Sequence, residues 1–184
     1  GLPTEAVVEV EGVRVGVLHG DFEDVAGWRL GESSLPESGD GRGHAGVEQA
    51  VAAMRLANVE VFASTHTCLP VAMTAFAGTI VNNGAAGLPN FAGTTYGLVT
   101  RISSPALAPP VEPVYSGRAH GLRLDALPLA YDHEDWRERF HRWWPAGSEA
   151  RVSYGERVAH GPDYSVARAA RNGFRSGGCE EAVA

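Results

Sequence analysis

Apolar residues near the start of the chain fall in two short runs, 6–10 and 13–18, separated by Glu11-Gly12. Two β-rich runs about a glycine-containing turn predict a hairpin. The second run opens into His19-Gly20-Asp21, which puts His19 at a strand end, where a rigid element holds the side chain. Residues 31–44 are rich in Gly, Ser, Asp, Glu and Pro and predict an exposed loop. Between 45 and 57 the spacing changes. Val47, Val51 and Met54 recur at helical intervals, with Ala50 and Ala57 on the same side and Asn58 closing the helix. A strand over 59–63 follows and delivers Ser64-Thr65-His66-Thr67-Cys68 at its C-terminal end.

Further β-prone stretches cover 71–76, 79–81, 96–102, 111–115 and 122–129, punctuated by Gly, Pro and Asn, notably over 84–90. Asp132, with Asp135 three residues on, predicts a capped helix that carries Trp136, Phe140 and Trp143 on one face and stops at Pro145. Ser148 starts a short helix to about residue 158. Asp163 or Ser165 starts the last, over 166–171, ending near Gly173. The tail from 175 to 184 reads as frayed. The whole is α/β, with a largely antiparallel or mixed sheet. No repeat or linker divides it, so residues 1–184 are expected to form a single domain.

Composition narrows the function. All 15 basic residues are Arg, which excludes Schiff-base and Walker-type lysines. The net charge of -7 works against a phosphate backbone, so no nucleic-acid partner is expected. The apolar runs are too short for a membrane span, and no signal-peptide pattern is present. The two cysteines, Cys68 and Cys179, make no disulfide framework. A reducing cytoplasm is the expected setting.

Of the seven histidines, His120, His133 and His141 read as ordinary, and His160 suits a helix C-terminus. His44, in the glycine-rich loop, is either a surface residue or a substrate contact. His66 and Cys68 stand two apart in a polar loop beyond a strand, and both side-chain types ligate borderline ions such as zinc or iron. In an extended loop both point the same way, and His19 is a third ligand if its strand lies alongside. The plainer alternative is a structural cysteine and a capping histidine. Asn82 and Asn83, ahead of Gly84-Ala85-Ala86-Gly87, are either substrate contacts or the start of a tight turn packed below the His66 loop.

Three pieces together, Val17-Leu18-His19-Gly20-Asp21, Ser64-Thr65-His66-Thr67-Cys68-Leu69-Pro70 and Val81-Asn82-Asn83-Gly84, resemble the later part of a calcineurin-like metallophosphoesterase. The resemblance spans roughly residues 7–102. It implies part of a four-layer α/β/β/α sandwich with mixed sheets and a dinuclear centre of divalent ions (Zn, Fe or Mn). His19 matches the family's lone histidine and His66 the first histidine of its last motif, both ligands of the second metal. Cys68 stands where that motif's final histidine would ligate the first metal, and Thr65 replaces the motif's glycine. Such a centre lowers the pKa of a bridging water for in-line attack on a small phosphorylated substrate.

Of the family's first three motifs, D-x-H and G-N-H do not occur in this sequence, and the one G-D-x-x-D, Gly20–Asp24, follows His19 instead of preceding it. The chain therefore reads as the C-terminal portion of a phosphoesterase. The remaining ligands would come from a missing N-terminal half or a second polypeptide, and this chain would supply ligands but no catalytic residue. A shortened relative is a further possibility. Two alternatives stand beside it. One is a catalytically inactive or fragmentary α/β module with a packing or partner-binding role. Trp136, Phe140, Trp143 and Trp144 would offer its surface, although core packing is expected for at least three of them. The other is a mononuclear zinc site of His19, His66 and Cys68 with a water. Neither the substrate nor the oligomeric state is legible.

Overall fold

The computed structural model describes residues 3–177. The two valine-rich runs meet as an antiparallel hairpin of β1 (Glu5–Val10) and β2 (Val13–His19), with Val10 paired to Val13. Glu11 and Gly12 have φ of 51° and 80°, the left-handed twist that two-residue hairpin turns require.

The predicted helix forms as α1 (Ala45–Ala57) and buries Val47, Ala50, Val51 and Met54. Asn58 adopts a left-handed conformation, and the Val59 N–H closes the helix on the Met54 carbonyl at 3.0 Å. Val59 is thus part of the helix cap. The strand expected over 59–63 begins later, as β3 (Val61–Thr65), which brings Thr65 into register with His19.

With β4 (Val71–Ala75) and β5 (Gly78–Asn82), the first sheet has the order β1-β2-β3-β5-β4. Its middle strands β2, β3 and β5 run parallel. The second sheet is antiparallel, in the order β6-β8-β7-β9, from β6 (Gly97–Ser103), β7 (Tyr115–Ala119), β8 (Leu122–Leu129) and β9 (Phe174–Ser176).

Alternation along the first sheet's strands sorts side chains to two cores. Phe62, Met73 and Ile80 face α1 with Leu30 and Leu35. Val15, Val61, Ala72 and Val81 face Leu98, Leu122, Leu124 and Ala126 of the second sheet. Period-two alternation is what allows one strand to serve both. These contacts make three layers: α1, first sheet, second sheet.

Helix α2 (His133–Trp143) starts at Asp132, whose carboxylate accepts from the Asp135 N–H at 2.9 Å. Ser148 caps α3 (Glu149–His160) in the same way, through the Arg151 N–H. The first turn of α2 meets the last turn of α3 where His133 Nε2 lies 2.6 Å from the Val158 carbonyl. The last helix, α4, is a single turn (Val166–Ala169). It ends early because Arg171 N–H donates to the Ala72 carbonyl and Ala170 bridges β4. Among the described residues no helix is long and apolar enough to cross a membrane.

Four expectations need correction. Of the stretch 111–115, residues 111–114 are loop: Pro113 cannot extend a ladder, and Val111 is exposed. The strand begins at Tyr115 and runs to a turn with positive φ at His120 and Gly121. Residues 174–176 are not frayed but form β9 against β7; Cys179 and the rest of the tail lie outside the described residues. The 31–44 loop is partly interior, since Leu35 is buried and its carbonyl accepts from Arg171 Nη1 at 2.6 Å. Of the four aromatic residues on and after α2, only Phe140 is buried, and Trp143 is well exposed.

Candidate metal centre

Parallel strands end together. His19 closes β2 opposite Thr65 of β3, and Ser64 of β3 is opposite Asn82 of β5. The residues that follow share one sheet edge, the place where open sheets bind ligands. The loops there are tied to one another. Ser64 Oγ donates to the Gly20 carbonyl at 2.6 Å, Asn83 N–H to the Ser64 carbonyl at 3.1 Å, and Thr65 Oγ1 to the Gly84 carbonyl at 3.1 Å.

The edge brings His19 and His66 together, with ring centroids 5.1 Å apart in an edge-to-face arrangement. His19 is exposed and His66 half-buried. Among the described residues, no hydrogen bond engages either imidazole, so their nitrogens are open to a ligand. His66 and Cys68 have φ of 97° and 65°. Left-handed backbone at non-glycine residues costs on the order of 1–3 kcal/mol each and persists only where surrounding structure enforces it.

Asn82 does that enforcing from below. It is buried, its Nδ2 donates to the Leu30 carbonyl at 3.0 Å and to Thr67 Oγ1 at 2.9 Å, and its Oδ1 accepts from the Gly84 N–H at 2.9 Å. Asn83 Nδ2 donates to the Leu98 carbonyl. Both amides are directed into the protein, as in the turn alternative weighed above. Gly84 is indispensable here: it has φ +67°, and a Cβ would sit 2.8 Å from the Cys68 carbonyl and 2.5 Å from Asn90 Oδ1.

His44 is not drawn into ring contact with the pair. It sits at the N-cap of α1 and its Nδ1 is buried without a partner. Nor does Cys68 complete a cluster: it is half-buried, and among the described residues no group of three or more His, Cys, Asp or Glu side chains gathers to hold a metal. Two imidazoles at this separation suit two positions on one borderline ion. The donor set fits part of a metal site, not a whole one.

Two residues of the loop after β2 were not singled out from sequence. Asp21 is buried and accepts from the backbone N–H groups of Glu23, Asp24 and Arg29. Burial alone would raise its pKa. The three N–H donors and the Arg29 charge outweigh that and hold it below the usual value. The folded loop carries Trp28 to 6.0 Å from the His66 ring, edge-on, while leaving the indole 56% exposed. An acidic residue two after His19 was the visible signal for Asp21, since Asp side chains cap their own turns. Nothing local marks Trp28.

No protein-family model matches the chain, and no curated protein matches it significantly. Among solved structures, the crystal structure of hypothetical protein PH1004 from Pyrococcus horikoshii OT3 is similar in fold, with a TM-score of 0.56 at 14% identity. The match covers 89% of this chain and 52% of that one, so the chain spans about half the length of this structural relative.

Proposed function

We propose that this chain is the C-terminal portion of a metal-dependent phosphoesterase of the calcineurin-like kind and contributes part of a dinuclear site. The observation that carries the reading is the His19–His66 pair: two imidazoles without hydrogen-bond partners, 5.1 Å apart at the carboxyl edge of adjacent parallel strands. The three packed layers then belong to a four-layer α/β/β/α sandwich. The remaining ligands come from an N-terminal half or a second polypeptide, which agrees with a donor set of two. A mononuclear site of His19, His66 and Cys68 is less well supported, because the described residues gather no group of three donors.

The bound ions supply Lewis acidity and an activated water for attack on a phosphate ester. This chain's residues do the holding. His19 and His66 each present an imidazole nitrogen. Asn82 and the Gly84 turn fix the His66 loop from beneath. Trp28 stands edge-on beside the His66 ring. Asn82 serves the site by holding Thr67 in place, with both amide hydrogens donated within the protein. A cytoplasmic setting suits the reduced Cys68.

The test is a Zn²⁺ titration of the native polypeptide and of His66→Ala, together with hydrolysis of a small phosphomonoester. Loss of the ligand is expected to weaken binding by more than the ~10–100-fold typical of losing a supporting group. Because His66 is half-buried and unpaired, stability should change by only about 1 kcal/mol or less. Equal affinity and stoichiometry in both proteins would remove His66 from the ligand set and overturn the reading.

A further inference from the structure

Helix α3 contributes little to either core: Val158 is its one buried residue, and Val152 and Tyr154 on it are exposed. Its firmest contact runs elsewhere. Arg157 Nη2 donates to the Cys68 carbonyl at 2.7 Å, and Nε donates to the Pro89 carbonyl at 3.0 Å. Nε and Nη2 form one edge of the planar guanidinium, so the two bonds make a fork across two loops. One loop carries His66 and Cys68; the other closes the turn that Gly84 begins. A guanidinium presents donors in this fixed geometry, whereas an ammonium is a single point of contact.

We propose that Arg157 is the positioning residue of the His66–Cys68 loop, and that α3 thereby sets the direction of the His66 imidazole. The metal-binding consequence rests on the phosphoesterase reading; the anchoring itself does not. The loop needs an outside anchor. Its left-handed backbone at residues 66 and 68 is unfavourable locally. Asn82 grips only Thr67 between them, and Arg157 holds residue 68 at its carbonyl. Grips on two adjacent residues fix the backbone between them and so fix where the side chain of residue 66 projects.

The test compares Arg157→Ala and Arg157→Lys with Arg171→Ala in the native polypeptide, in a Cys179→Ser background that leaves Cys68 the sole thiol. Arg171 is a fair control because it also grips carbonyls, those of Leu35 and Pro36, on a different loop. Two readouts are taken: the metal-free rate of Cys68 alkylation by iodoacetamide, and Zn²⁺ affinity by competition. Arg157→Ala should speed alkylation severalfold and weaken Zn²⁺ binding about 10–100-fold, as loss of a supporting group does. Arg157→Lys should recover part of both, and Arg171→Ala should lower only the melting temperature. Faster alkylation in a protein whose wild type binds no Zn²⁺ would support the anchoring and overturn the phosphoesterase reading instead. Indistinguishable behaviour of Arg157→Ala and Arg171→Ala would overturn the proposal. If Arg157→Ala fails to fold, wild-type values of both readouts in Arg157→Lys would do so.

Discussion

Asp125 on β8 and His66 after β3 are polar groups in different company. Asp125 has no exposed side-chain surface, and its oxygens are fully used: Oδ1 accepts from Ser116 Oγ at 2.8 Å and Arg123 Nε at 2.9 Å, and Oδ2 from Arg101 Nη1 at 3.0 Å. His66 and His19 lie at the rim of the other sheet with unengaged nitrogens, His66 on backbone held in a costly conformation. A closed network serves the fold, because each member would be expensive to leave alone. An open pair beside a strained turn leaves binding capacity for something else.

The comparison breaks first at Asp125. Asp125→Ala leaves two guanidiniums facing one another in a largely buried setting and should cost about 3–5 kcal/mol in urea unfolding. Zn²⁺ affinity of the fraction that remains folded should be unchanged. A loss of affinity would mean the second sheet is not purely structural. Gly84→Ala is the next largest. It combines a left-handed backbone with a Cβ driven against the Cys68 carbonyl and Pro70 nitrogen, and should cost roughly 2–3 kcal/mol. Here metal affinity should fall together with stability, because the displaced atoms belong to the ligand loop.

The smallest effect sharpens the comparison by pH. Asp21 has a folded pKa below its ordinary 3.8. Its contribution is therefore complete above that value and is lost as pH falls through the lower folded pKa. Melting temperature followed through the acid range should drop less steeply for Asp21→Asn than for wild type. Parallel curves would show that the loop carrying Trp28 does not depend on the charge.

Much of the first sheet and α1 was legible because their signals are local. Two β-rich runs around Glu11-Gly12 predicted the hairpin, period-3.6 spacing predicted α1, and Asp132 and Ser148 marked their helices as caps. The strand over 122–129 matches β8 end to end. What was illegible is what depends on distant partners. Tyr115–Ala119 contains Ser, Gly and Arg and becomes a strand because β8 and β9 flank it. Leu35 becomes interior because its side chain packs with Leu30 against α1, and Arg171 reaches its carbonyl from 136 residues away. At the site, His19 and His66 could be picked out as residues, and the parallel register that joins them could only be suspected. Asn82 was weighed as a substrate contact or as the start of a packed turn, and in the structure it holds a neighbouring loop, with both amide hydrogens donated to Leu30 and Thr67. Arg157 carried no signal at all, since one arginine on a polar helix face resembles any other.

The bond from Arg157 to Cys68 also sets an order of events. It joins residues 89 positions apart, and a chain made from its N-terminus exposes the His66 loop well before α3 exists. The first sheet's pairing of β2, β3 and β5 spans shorter separations and can settle early. Until α3 arrives, the left-handed turn at Cys68 lacks its upper grip and can relax to ordinary backbone. The histidine pair is therefore among the last parts of the molecule to reach its final geometry, and a polypeptide still in synthesis holds both imidazoles before it holds the shape that makes them a pair.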